Sequence, residues 1–207
     1  MKLHLDTVLD SKRKSLLNKF SWTKDYGFYL AWWTALALQY NHRKSEDFDF
    51  FKEWEFDINW LKDFLNREWF EYRVTYQVPN TLYIDVDWVK ISFIAVKKLT
   101  LVGDMIETPY FNMINDKEIG VMKLVVIPAR RELKDYLDLY YITKKHKIND
   151  LINLIEKKYW LKQNLFVLKK ALLYTDDLLE NVTFIWNPIS IKDIKKHFTK
   201  IVEFYTE

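Results

Sequence analysis

Apolar and polar positions follow three rhythms along the 207-residue chain. From Val8 to Phe20 the spacing predicts a helix, and a buried apolar segment follows from Phe28 to Tyr40 until the polar stretch NHRKSED interrupts it. In DFDFF, Asp47 to Phe51, acids alternate with phenylalanine, the period-two pattern of a strand with one buried face. Asp57 suits an N-cap. Behind it Ile58, Leu61, Leu65, Trp69 and Tyr72 recur at intervals of three and four, so one side of a helix is apolar and should pack on a sheet.

VTYQV (Val74 to Val78), a Pro79-Asn80 turn, TLYIDVDW and VKISFIAV are rich in β-branched and aromatic residues and read as antiparallel strands. From Asn115 the period becomes helical: Leu133, Tyr136, Leu137 and Tyr140, then Leu151, Leu154 and Ile155, then Leu165, Leu168 and Leu172, then Ile191, Ile194, Phe198 and Ile201. EIGVMKLVVIP, Glu118 to Pro128, suits a buried strand as well as a helix, because short apolar runs do not distinguish the two. The expected class is α+β, a mixed sheet flanked by helices over residues 1–114 and a helical region packed on it over 115–207. No repeat or low-complexity tract divides the chain.

Composition narrows the chemistry. Half of the residues are hydrophobic (49%) and only 3 are glycine, so a sizeable core is expected and a disordered or linker-type chain is excluded. There is no cysteine, which removes disulfides, thiolate zinc sites, cysteine nucleophiles and iron–sulfur clusters and leaves carboxylates and histidine as metal ligands. The net charge of +3 is too small to argue for a nucleic-acid partner by itself. The N-terminus has charges within its first dozen residues and no apolar core of a secretory signal. The longest apolar run, Phe28 to Leu38, is about half of the ~20 residues a membrane-spanning helix needs. A cytoplasmic protein without a membrane partner is expected.

Candidate chemistry concentrates between Phe28 and Phe51. Asp47 and Asp49, one residue apart on a strand, project from one face while Phe48 and Phe50 anchor the other. Adjacent carboxylates repel each other, and a divalent cation relieves that; Mg²⁺ is commonly held by one or two carboxylates together with substrate phosphates. An isolated D-x-D also suits a solvated strand end. Further along, Asp135 and Asp138 are one helical turn apart and share a face away from the apolar stripe of their helix, an arrangement that equally suits an exposed ion-paired surface.

The order of these segments carries a resemblance. LAWWTALAL, then HRKSEDFDFF, then MKLVVIPARRELKDYLDLYYI (Met122 to Ile142), and finally ALLYTDDLLE resemble the AbiEii/AbiGii-type nucleotidyltransferase toxins, whose fold is similar to the DNA polymerase β nucleotidyltransferase superfamily. The resemblance implies that Asp47 and Asp49 hold Mg²⁺ and that Lys123 faces the phosphates. It places Asp135 and Asp138 in the catalytic D-x-x-D. Thr34, Arg43, Ser45, Arg130 and Lys134 would bind substrate. His42, which begins H-R-x-S, reads more readily as a structural hydrogen bonder. The implied activity is transfer of a nucleotide from an NTP to an RNA acceptor such as tRNA, or to a protein, within a toxin–antitoxin or phage-defence system. A protein antitoxin would be the partner.

Three departures stand beside it. Trp32-Trp33 occupy the place of a Gly-Gly or Gly-Ser pair, whose open backbone lets N–H groups reach a triphosphate. The two indoles are expected either to plug the pocket or to rotate into the core. With a plugged pocket, the same fold would serve as a catalytically dead RNA- or protein-binding module. Arg131 stands where the family commonly has glycine. Ser92 occupies the place of a third carboxylate, for which Asp87, or Asp85, is the nearby substitute. The lysine pairs 157-158, 169-170 and 195-196 and the run KKHK (Lys144 to Lys147) read as capping and solvation, with an RNA-backbone groove as the second reading.

Overall fold

Two parallel strands at the centre of the molecule, β2 (Phe48–Lys52) and β5 (Val89–Ala95), order everything around them. The computed structural model describes residues 2–68, 70–96, 100–160, 164–178 and 182–203; Trp69 of the predicted stripe lies outside them. Beyond β5, β4 (Thr81–Val86) and β3 (Arg73–Val78) continue as an antiparallel meander. On the other side of β2 stand β1 (Tyr29–Leu30), β7 (Asn112–Met113) and β6 (Ile106–Glu107), giving the order β3-β4-β5-β2-β1-β7-β6. Phe48 and Phe50 are fully buried, as the alternation demands, and Phe50 stacks on Phe93 and Phe20.

The predicted first helix is two: α1 (Leu5–Val8) and α2 (Ser11–Lys19). Asp10 breaks it, because its carboxylate accepts the Arg13 N–H and caps α2. The apolar segment likewise divides. Phe28 to Leu30 enters the sheet, and α3 (Trp32–Tyr40) follows with Asn41 in the left-handed region at its end. Asp57 caps α4 (Ile58–Arg67) through the N–H groups of Asn59 and Trp60, as expected, whereas Tyr72 lies past the helix end.

The ambiguous run becomes a helix, α5 (Asp116–Val126), with Asn115 accepting the Glu118 N–H at its start. Tertiary packing decided this. A Cβ on Gly120 would stand 3.0 Å from Ile142 and 3.2 Å from Leu151, so the glycine allows α5 to approach α6 (Leu133–Thr143) and α7 (Ile148–Tyr159) closely. The remaining helices are α8 (Leu165–Leu173) and α9 (Ile191–Glu203). Among the described residues no helix is long and apolar enough to cross a membrane.

Candidate active site

Asp47 and Asp49 stand at the start of β2 on the face opposite Phe48 and Phe50, where they line a cleft of about 550 Å³. Strand register builds its floor. Asp49 lies beside Ser92 on β5, which lies beside Tyr83 on β4, while Asp85 pairs with Lys90 and Arg73 pairs with Asp85. Ser92 Oγ donates to Asp49 Oδ1. Burial pushes the Asp49 carboxyl above its usual range against that bond, and the neighbouring charge of Asp47 adds to the rise. Asp47 is pushed up by burial as well, against the attraction of Lys90 and Lys134. No hydrogen bond to a basic side chain relieves either acid among the described residues.

The loop before β2 is fixed from behind. Thr34 and Ser45 hydroxyls are buried and 2.7 Å apart, and Thr34 also donates to the Asp47 carbonyl. They shape the backbone at Asp47 rather than face the cleft. Lys44 N–H bonds the Thr183 carbonyl at 2.8 Å, so a C-terminal segment crosses this loop.

Behind the loop lies a second, buried constellation in which both carboxylates are paired with cations. Asp138, with no exposed surface, accepts from Arg43 Nε (2.9 Å) and Nη2 (3.0 Å) and from His42 Nε2 (2.7 Å), and lies 3.0 Å from Lys123 Nζ. Asp135, equally buried, accepts from Lys123 Nζ (2.6 Å), Arg130 Nε (3.1 Å) and Trp33 Nε1 (3.0 Å). Burial would raise the Asp138 carboxyl, but Arg43 and Lys123 hold it far below the usual range. His42 is pushed down by burial despite Asp138 and is neutral near pH 7, its Nε2–H donating.

These contacts correct several expectations. The D-x-x-D acids are no exposed ion-paired face; both are inside. Lys123, 1% exposed, does not face the cleft, because two carboxylates hold it and the faces of Trp33 and Trp32 lie 5.0 and 5.7 Å away. Arg43 has its fork on Asp138, its Nη2 also on the Trp33 carbonyl and its Nη1 on the Lys44 carbonyl, so four of its five N–H donors are engaged in orienting the loop. Pro128 follows the end of α5, and Arg130 beyond it meets Lys123 through Asp135. Asp87 sits exposed in the β4–β5 turn at φ +52°, outside the cleft lining, so alternation does not carry it onto the face of Asp85.

Trp32 and Trp33 neither fill the cleft nor leave it; they form its wall. Trp32 keeps the left-handed φ of +51° that glycine adopts without cost, and packs edge-on against Phe51 and Trp33. The Trp33–Asp135 bond and the basic row Lys90 and Arg73 escaped sequence reading. Lys90 was legible from alternation with Ser92; the indole bond spans 102 positions and had no local signal.

The described residues hold no group of three or more histidine, aspartate or glutamate side chains placed to bind a metal ion. The acid pair therefore offers two carboxylates and leaves further ligands to come from substrate and water, which fits Mg²⁺ and its preference for a few carboxylates with phosphates.

No family model matches the chain. Protein aq_aa25 of Aquifex aeolicus (strain VF5), itself uncharacterised, is 33% identical over 191 residues, 86% of this chain and 84% of that one. Among solved structures, MenT4, a nucleotidyltransferase toxin of Mycobacterium tuberculosis H37Rv, superposes with a TM-score of 0.60 at 14% identity, covering 93% of this chain and 82% of MenT4. JHP933 from Helicobacter pylori superposes with a TM-score of 0.57 at 15% identity over 98% of this chain and 92% of its own. At these identities the solved structures share the fold.

Proposed function

For a chain that belongs to the same family as the Aquifex aeolicus protein and has the nucleotidyltransferase fold, we propose a toxin-type nucleotidyltransferase that transfers a nucleotide from an NTP to an acceptor hydroxyl. One observation carries the reading. Asp47 and Asp49 stand together at a cleft, both pushed above the usual carboxylate range, while among the described residues the buried acids behind them, Asp135 and Asp138, are matched by cations. An unrelieved acid pair costs stability, and a bound dication with triphosphate oxygens would remove that cost.

Asp47 and Asp49 would hold Mg²⁺, which when bound supplies charge stabilisation between the attacking and leaving oxygens. The chain's own residues do the rest by position. Ser92 fixes the rotamer of Asp49, Thr34 and Ser45 fix the backbone of Asp47, and Arg130 and Lys134 present cations to the phosphates. Asp138, through Arg43, sets the loop between α3 and β2. The acceptor is an RNA such as tRNA, or a protein, and a protein antitoxin would restrain the activity in a cytoplasmic toxin–antitoxin or phage-defence system.

A second reading follows from the wall of the cleft. Trp32-Trp33 keep a triphosphate from approaching backbone N–H groups there, which suits a dead RNA- or protein-binding module. Calorimetric titration with each NTP and Mg²⁺, followed by transfer of labelled nucleotide to total RNA, separates the two. The enzyme reading expects binding and transfer that Asp47→Ala/Asp49→Ala abolishes. Binding unaffected by that variant refutes the site, and no binding with RNA retained favours the module.

A further inference from the structure

The two indoles hold something. Trp33 is fixed at its edge, its Nε1–H donating to Asp135 on α6. Over its face lie Lys134 Nζ, 3.3 Å from the ring centroid, and the Arg130 guanidinium, 4.8 Å away; the same guanidinium is 4.9 Å from the Trp32 centroid. Unlike Lys123, these two cations reach solvent, with 25% and 33% of their side-chain surface exposed. Arg130 lines the cleft with both acids, and Lys134 lines the adjoining hollow with Trp33 and Asp47. Glu132 bridges them at 2.9 and 3.3 Å, and buried Asp135 holds the Arg130 Nε and Nη2 from within at 3.1 and 3.3 Å, so Glu132 is the exposed carboxylate with which an incoming phosphate would compete.

Free lysine and arginine side chains lose rotamer freedom when they close on an anion. Stacking on an indole, joined for Arg130 by its bonds to Asp135, removes much of that freedom beforehand and leaves part of each cation exposed. We propose that Trp33 is a positioning residue for the anionic part of the substrate, a platform that holds Lys134 and Arg130 at the mouth of the cleft. Side-chain cations thereby take the place of the backbone N–H groups that a glycine loop would offer. The inference rests on the nucleotidyltransferase reading and names how that site grips a polyphosphate: through a Trp-mounted cation pair.

The test is titration of the full chain with Mg²⁺ plus each NTP, and with Mg²⁺ plus inorganic tripolyphosphate, which carries the charge without the nucleoside. Trp33→Leu should weaken both ligands by about 3- to 30-fold, the span of a cation–π contact. Trp33→Phe, which keeps a ring, should restore most of the affinity. In a Lys134→Ala/Arg130→Ala background the same Trp33→Leu change should have no further effect. An equal loss with and without the cations overturns the proposal, as does tighter binding by Trp33→Leu or Trp33→Gly, which would make the indole a plug. Where Trp33→Leu does not fold, Lys134 decides: Lys134→Arg, which stacks, should keep affinity within a few-fold while Lys134→Gln loses it, and equal losses overturn the idea. If the parent binds NTP with Mg²⁺ and the Asp47→Ala/Asp49→Ala variant does not, the transferase site stands whatever Trp33 does. No binding by any variant refutes both.

Discussion

Replacing Asp138 with asparagine tests the buried constellation directly. The carboxylate has no exposed surface and is the shared acceptor of Arg43 (2.9 and 3.0 Å), His42 (2.7 Å) and Lys123 (3.0 Å). Asparagine keeps the volume but removes the charge and turns an NH₂ toward cations. Breaking a buried ion pair by removing one partner typically costs about 3–5 kcal/mol. For a chain of this size each kcal/mol moves Tm by roughly 2–4 °C, so Asp138→Asn should melt about 6–20 °C lower. Thermal and urea unfolding followed by circular dichroism give the number, with Asp6→Asn as the control. Asp6 pairs with Lys14 at the surface, and its loss should cost under about 1 kcal/mol. A penalty for Asp138→Asn no larger than the control's would refute the claim that this network holds α6 to the site loop. The pH dependence carries an independent sign. Asp138 has a depressed folded-state pKa, so its contribution is complete above the unfolded value of about 3.9 and is lost as pH falls below it toward the folded value. Asp116 adds to the same limb, held down to about 2 against burial by Lys145, His146 and Tyr40. The parent should lose stability steeply below about pH 4, and Asp138→Asn should show a shallower acid limb.

Other outcomes follow from single features. Asp49→Asn should raise stability at pH 7 in urea unfolding, since it removes an acid raised by burial, while abolishing NTP·Mg²⁺ binding; destabilisation would mean that the Ser92 bond to the carboxylate outweighs the burial of its charge. Trp32→Gly should be more stable than Trp32→Ala by about 1 kcal/mol, because both lose the ring but only glycine is at ease at φ +51°; equal melting points would show that the backbone relaxes. Gly120→Val should lower stability by about 1–3 kcal/mol, as its side chain would meet Ile142 on α6 and Leu151 on α7, and an unchanged Tm would indicate that α5 can move away.

Residue order alone determined the elements with strong periods: the β3-β4-β5 meander, β2 with its phenylalanine anchors, α4 with its Asp57 cap, and the C-terminal helices. It also exposed the acid pair, since alternation on a strand needs no partner to orient Asp47 and Asp49. Local pattern could not decide α5, whose apolar run suits either period until Gly120 meets α6 and α7. Nor could it see that Asp10 divides the first helix, or that Asp87 turns out of its strand at a positive φ. The largest gap lies in the charges. The resemblance cast Lys123 and Arg43 as phosphate-facing or substrate-binding and Asp135 and Asp138 as catalytic acids, and nothing local in the sequence shows what pairs them. Separations as long as 95 residues, closed only by packing α6 behind α3, turn them into a buried lattice and leave Arg130 and Lys134 stacked on an indole at the cleft. A charge's role depends on which opposite charge folding brings within 3 Å, and that distance exists only in the tertiary structure.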